Sequence, residues 1–144
     1  MSTGPATHTI SSADLDESGY ASYRAILGWV EQARESFLSG TRLGTDELAG
    51  DGIGLVVRSI EIRFFHALQL GDSICTSIEP TAVKRASLRL RFQASSPRGP
   101  AAEGTFHCAF VHLATLKPFA PDPERLHALR CKAADARVPG RRPV

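Results

Sequence analysis

Residues 23–38, YRAILGWVEQARESFL, decide the fold. The apolar residues Ile26, Val30, Ala33 and Phe37 recur at i, i+4, i+7 and i+11, a spacing that draws one stripe along a helix, and Gly40 ends it. A second apolar set, Tyr23, Leu27 and Leu38 with Trp29 nearby, lies off that stripe. More than half of the circumference is therefore apolar, and the helix is expected to be buried on several sides.

Downstream of this helix, past a Gly-rich connection at 50–54, four segments have strand character: 55–65, 72–83, 86–94 and 104–113. Their period is visible in Leu88, Leu90 and Phe92 set against Arg89, Arg91 and Gln93. Short connections carrying turn residues, Leu70-Gly71-Asp72 and Ser96-Pro97-Arg98-Gly99-Pro100, make antiparallel pairing of neighbours the economical topology. Upstream, residues 7–12 read as a short strand, and residues 121–134 as a C-terminal helix with Pro123 near its start. One buried helix ahead of a curved antiparallel sheet is an α+β arrangement with the layout of the hot-dog fold, in which the sheet wraps the helix. Such a sheet leaves an open edge strand, so a homodimer or a dimer of dimers is expected.

Composition narrows the function. The chain has 144 residues, 42% of them hydrophobic, enough for one packed domain; it is expected at 1–136, followed by a basic tail at 137–144 too rich in Arg, Pro and Gly to order itself. With 17 basic and 15 acidic side chains the net charge is only +2, which does not commit the chain to nucleic acid. Cys75, Cys108 and Cys131 are an odd set without C-x-x-C spacing, which argues against a disulfide framework and a structural zinc site. They are read as small buried hydrophobes and reduced thiols. No basic, then apolar leader and no run of about 18 apolar residues is present, so a cytoplasmic protein without membrane segments is expected.

The densest polar constellation is Asp14-Leu15-Asp16-Glu17-Ser18-Gly19, immediately ahead of the helix. Acidic residues there ordinarily serve as turn and capping groups. The same placement also suits acyl chemistry: the free N–H groups of a first helical turn can take a developing oxyanion, and a nearby carboxylate can attack a carbonyl or activate water. Local sequence alone does not choose between the two.

Asp14-x-Asp16-x-x-Gly19, followed by Tyr23, Trp29, Glu31, Arg34 and Phe37, resembles the signature and helix of the 4-hydroxybenzoyl-CoA thioesterase family. Residues 56–72 (VVRSIEIRFFHALQLGD) resemble that family's long second strand, bend and Leu-Gly-Asp, and Lys117-Pro118-Phe119-Ala120-Pro121 agrees near the last strand, so the likeness covers most of 10–128. It implies the hot-dog fold, oligomers built from dimers, and thioester hydrolysis with neither metal nor cofactor. By the same resemblance Asp16 matches the catalytic carboxylate, as nucleophile or general base. Tyr23 matches the position whose backbone N–H polarises the thioester carbonyl, and Gly19 matches the turn glycine. Asp14 shapes the loop.

The chain departs from the pattern after the glycine, where Tyr20-Ala21-Ser22-Tyr23 replaces His-Val-Asn-Asn, and in the bend, where Ala67 replaces a proline. Both departures bear on the acyl pocket, for which Trp29, Glu31, Arg34, Phe65 and His66 are the candidate substrate-binding residues. Trp29, Arg34-Glu35-Ser36-Phe37-Leu38 and Phe64-Phe65 are similar to thioesterases of enediyne polyketide pathways, which usually carry Asn where Asp16 stands. Arg34 could there hold a carboxylate or β-keto oxygen of an acyl chain, although its i, i+3 spacing from Glu31 reads equally as a solvated surface pair. Glu31 is a second candidate carboxylate, and His66, His107 and His112 are candidate bases. The expected partner is an acyl-CoA or acyl-carrier-protein thioester, to which the basic residues Arg125, Arg130, Lys132, Arg137, Arg141 and Arg142 would add attraction. A hydratase or dehydratase on the same fold, or a non-catalytic acyl-thioester binder, are the alternatives.

Overall fold

A computed structural model describes residues 6–136. The elements run β1 (Ala6–Thr9), a single 3-10 turn (Ser12–Asp14), α1 (Tyr23–Ser39), α2 (Thr45–Gly50), β2 (Ile53–Phe64), β3 (Ser73–Val83), β4 (Ser87–Ser96), β5 (Gly99–His112) and α3 (Pro123–Ala136). The expected tail at 137–144 lies outside the described residues.

The five strands form one antiparallel sheet in the order β1-β3-β4-β5-β2. Neighbour pairing holds for β3, β4 and β5 but not for β2 and β3: β2 crosses to pair with β5, and β1 closes the far edge on β3. The connection at 65–72 is long enough to make that crossing, which its turn residues alone did not reveal. Irregularities at Val57/Ser59, Pro80/Ala82 and Ala94/Ser95 interrupt the ladders, and such bulges bend a sheet. The hairpin between β4 and β5 is tighter than expected, so β5 begins at Gly99.

One face of the curled sheet packs on α1. Leu88, Leu90, Phe92 and Ala94 on β4 and Phe106, Cys108 and Phe110 on β5 join Ile26, Val30, Phe37 and Leu38 of the helix, and Leu126 and Leu129 of α3, in a single core. The fold is the expected hot-dog arrangement of α+β class. Along α1 the first stripe is buried as read, but Tyr23 is 68% exposed, so burial does not extend round the helix at its start. Of the cysteines only Cys108 is buried; Cys75 and Cys131 are exposed on β3 and α3, which corrects their common reading as core residues. Among the described residues no helix is long and apolar enough to cross a membrane.

β2 is an edge strand of 12 residues, bonded only on its β5 side, and it exposes Val56, Val57, Ile60 and Phe64. An open, apolar edge of that length is ordinarily covered in a native protein.

Candidate active site

Between β1 and α1 the chain closes on itself. Leu15 and Ala21 form an isolated antiparallel bridge, the Asp16 N–H donates to the Tyr20 carbonyl at 2.9 Å, and the Gly19 N–H donates to the Asp16 carbonyl at 3.0 Å. Gly19 has φ +86°, a conformation that strains any side chain. Asp16 stands at the tip. Its Oδ1 accepts the Ser18 hydroxyl and, at 2.8 Å, the Ser18 N–H, and these bonds hold the exposed carboxyl below its ordinary pKa.

The loop delivers the chain into α1 through Ser22, whose hydroxyl accepts the Ala25 N–H at 3.1 Å while its carbonyl accepts that of Ile26 at 3.1 Å. The N–H groups of Tyr23 and Arg24 are left without an acceptor among the described residues, at the positive end of the helix. The Ala21 N–H donates to the Leu68 carbonyl at 2.9 Å and so ties the loop to the segment after β2. The two segments border a concavity of about 360 Å³, walled by Tyr23, Ile26, Phe64, Phe65, His66 and Leu68.

Tyr23, Phe65 and His66 are thus brought together, with Asp16 and Gly19 on the adjoining loop. His66 is braced at both ring nitrogens: Nδ1 lies 3.1 Å from the Ala67 carbonyl, and Nε2 lies 3.2 Å from the Ser96 hydroxyl and 3.5 Å from the Gly99 carbonyl. Among the described residues no acid pairs with His66, His107 or His112.

Trp29, Glu31 and Arg34 do not line this concavity. Trp29 is buried in the core, with its ring 4.5 Å from that of His8. Arg34 is not a solvated surface residue. Its side chain is only 12% exposed, against 65% for Glu31 at 3.4 Å, and its guanidinium carbon lies 4.9 Å from the Phe106 ring centroid beneath the helix. Nη1 is fully buried without a hydrogen-bond partner among the described residues. Burial pushes the nearby Cys108 thiol up to about 11, with the Arg34 charge pulling the other way, so Cys108 is inert packing and not a nucleophile.

Residues 11–129 match the model of the thioesterase-like superfamily. The chain belongs to that superfamily. Among curated proteins none matches it by sequence. Solved structures agree on the fold across nearly the whole length. The DHNA-CoA thioesterase of Staphylococcus aureus is 16% identical, with a TM-score of 0.84 over 98% of this chain and 96% of its own. The 1,4-dihydroxy-2-naphthoyl-CoA thioesterase of Synechocystis is 21% identical, with a TM-score of 0.78 over 91% and 97%. A thioesterase of Thermus thermophilus, complexed with coenzyme A and Zn, is 20% identical, with a TM-score of 0.76 over 92% and 95%. The expectation of a thioester-hydrolase framework is met in family and in fold.

Two features of this thioesterase-like chain escaped the sequence reading. On the sheet face turned away from α1, Arg58, Lys84, Arg89 and His107 surround a second concavity of about 400 Å³ with Ser59 and Ser87. None of the four has an acidic partner among the described residues, whereas Arg91 on the same strand bonds both Glu79 and Glu103. The β4–β5 register sets Arg89 opposite His107, and the β2–β5 pairing brings Arg58 to them across the sheet, a gathering of distant residues that no local spacing encodes. The second feature is His8, which lies between Trp29 and Asp14. Arg125, by contrast, is held by Asp51 and by the carbonyls of Arg42 and Glu47, so it is not a free charge of the basic C-terminal region.

Proposed function

We propose that this chain hydrolyses an acyl thioester to the free acid and thiol, with Asp16 as the reacting carboxylate and the Tyr23 N–H polarising the carbonyl. The observation that carries the reading is the pair of unoccupied N–H donors at the start of α1, beside an aromatic concavity, with the Asp16 carboxylate on the loop that leads into that helix. The Ser18 bonds keep the Asp16 carboxyl ionised, the state that both activation of water and direct attack on the carbonyl require, and direct attack is the step proposed. In that step the carboxylate oxygen bonds to the acyl carbon and the thiolate leaves, to be protonated by solvent. Water then opens the mixed anhydride and restores the carboxylate.

Coenzyme A is the proposed donor. Its three phosphates suit the acid-free cluster of Arg58, Lys84, Arg89 and His107, and solved relatives carry coenzyme A in their complexes. A carrier-protein thioester, as in the enediyne polyketide thioesterases that the helix resembles, is the competing donor. Arg34, with its unpartnered buried Nη1, is proposed to receive a carboxylate or keto oxygen of the acyl chain. The His66 bonds to a serine and a carbonyl, with no acid, weigh against a dehydratase.

A panel of coenzyme A and carrier-protein donors, with acyl chains with and without a second oxygen function, tests this through liberated thiol. Hydrolysis of at least one class is expected, with Arg34→Met erasing any preference for the oxygenated chain. No thiol from any donor, with unchanged or hydrated acyl groups, would make the chain a binder or a lyase.

The charge cluster yields its own expectation. Arg58→Glu with Arg89→Glu should raise KM for acyl-CoA about 10-fold at low salt, leave kcat nearly alone and flatten the salt dependence of kcat/KM. An unchanged KM and salt slope would remove this face from donor binding.

The open β2 edge, which exposes Val56, Val57, Ile60 and Phe64, is proposed to pair with a second copy. Sedimentation velocity should report a dimer or a dimer of dimers. A monomer at micromolar concentration would contradict this.

A further inference from the structure

β1 alternates Thr7 and Thr9 toward solvent with Ala6 and His8 inward, a phase that Ile10 continues just beyond the strand, and this turns a polar ring into the fold. The His8 ring lies against Trp29, with centroids 4.5 Å apart and planes tilted by 32°, and its Nε2 stands 3.0 Å from Asp14 Oδ2. The same oxygen accepts the Ser11 N–H at 2.9 Å and the Ser11 hydroxyl at 3.2 Å. Partial burial alone would raise the Asp14 pKa, but the donors from Ser11 and His8 outweigh it and the net shift is downward, so Asp14 stays an anion.

Both proposed reacting groups hang from Asp14. Asp16 follows it by two residues. The Asp14 backbone carbonyl accepts the Ser22 N–H at 2.9 Å, and Ser22 is the residue from which α1 starts, with the free Tyr23 N–H next in line. The contacts therefore run from a buried residue of the helix, Trp29, through the His8 ring and the Asp14 carboxylate, to the helix start and the loop tip together.

We propose that His8 is a positioning residue: by holding Asp14 from the wall that Trp29 provides, it sets the Asp16 carboxylate and the Tyr23 N–H at a fixed separation. The proposal rests on the reading of Asp16 and Tyr23 given above. A misplacement of the order of an ångström between a reacting group and its oxyanion donor can cost up to about 100-fold in rate, while binding of the remote donor is untouched.

His8→Phe keeps a ring against Trp29 and removes the donor to Asp14; His8→Gln restores a side-chain N–H without the ring. With the best thioester of the donor panel, His8→Phe is expected to lower kcat about 10-fold with KM within about twofold of wild type. His8→Gln should recover most of that loss. Melting temperature and the emission of Trp29, the single tryptophan of the chain, report on folding and on the stack. Full kcat in His8→Phe, or equal losses in both variants that track a fall in melting temperature, would reduce the pair to a stabilising contact. Should His8→Phe not fold, Asp14→Asn, which keeps an acceptor but lowers its charge, replaces it under the same criteria. Asp16→Asn measured alongside keeps the two ideas apart: activity surviving there overturns the assignment of the carboxylate, whereas a kcat unaffected by His8→Phe beside an inactive Asp16→Asn overturns only the positioning role. In a hydrolytically silent wild type, an unaltered Tyr23 amide resonance in His8→Phe would overturn it as well.

Discussion

Asp16→Asn is expected to lower kcat about 100-fold or more while leaving the melting temperature within a few degrees of wild type. The substitution removes the charge and nucleophilicity of the carboxylate but keeps an oxygen that can accept the Ser18 N–H, so the loop retains the bonds that close it. The pH dependence supplies a companion check. Because the Ser18 hydroxyl and N–H depress the Asp16 pKa, the reactive anion is present throughout the neutral range and is lost only as pH falls below the usual carboxylate value of about 3.9. The kcat/KM of the wild type should therefore show no acid limb from this group between about pH 5 and pH 8. Near-full turnover in Asp16→Asn would move attention to Glu31, the other candidate carboxylate.

Gly104→Ala is expected to be the most damaging small substitution in the sheet. Gly104 lies on β5 between Ile62 of β2 and Phe92 of β4. A Cβ there would stand 1.9 Å from the Glu61 carbonyl oxygen and 2.6 and 2.8 Å from two carbons of the Phe92 ring. The ring could tilt, but the carbonyl belongs to the neighbouring strand and cannot move without opening the ladder. Overpacking of this kind costs about 3 kcal/mol or more, which for a domain of this size lowers the melting temperature by roughly 10 °C. A melting temperature within 2 °C or so of wild type would show that β2 and β5 are more loosely joined than their register implies.

How far the sequence could be read depended on the range of the interactions involved. The start of α1 at Tyr23 and the alternation of β4 were legible because each is set by local periodicity and by adjacent capping or turn residues. The loop carrying Asp16 and Gly19 was legible for the same reason, since the positive φ of Gly19 and the Asp16–Ser18 bonds act within a few residues. α2 was missed: six residues with glycine at the cap and at the end are too few to establish a period. The crossing of β2 to β5 is a choice between distant partners, and no turn encodes it. The burial of Arg34 was missed for a related reason, because its spacing from Glu31 describes a surface pair while Phe106, which it faces, lies more than seventy residues away. His8 offered only its inward phase on a four-residue strand as a signal.

The central claim is that a thioester carbonyl docks against the Tyr23 N–H beside Asp16. It is tested most directly by the amide resonances of the nitrogen-15-labelled protein titrated with a non-hydrolysable ketone analogue of an acyl-CoA, in which a methylene replaces the sulfur. A carbonyl accepting the previously unpaired Tyr23 N–H should shift that resonance strongly downfield, with smaller changes at Gly19 and Phe65. Saturable binding that leaves the Tyr23 amide in place would contradict the account, whichever other residues respond.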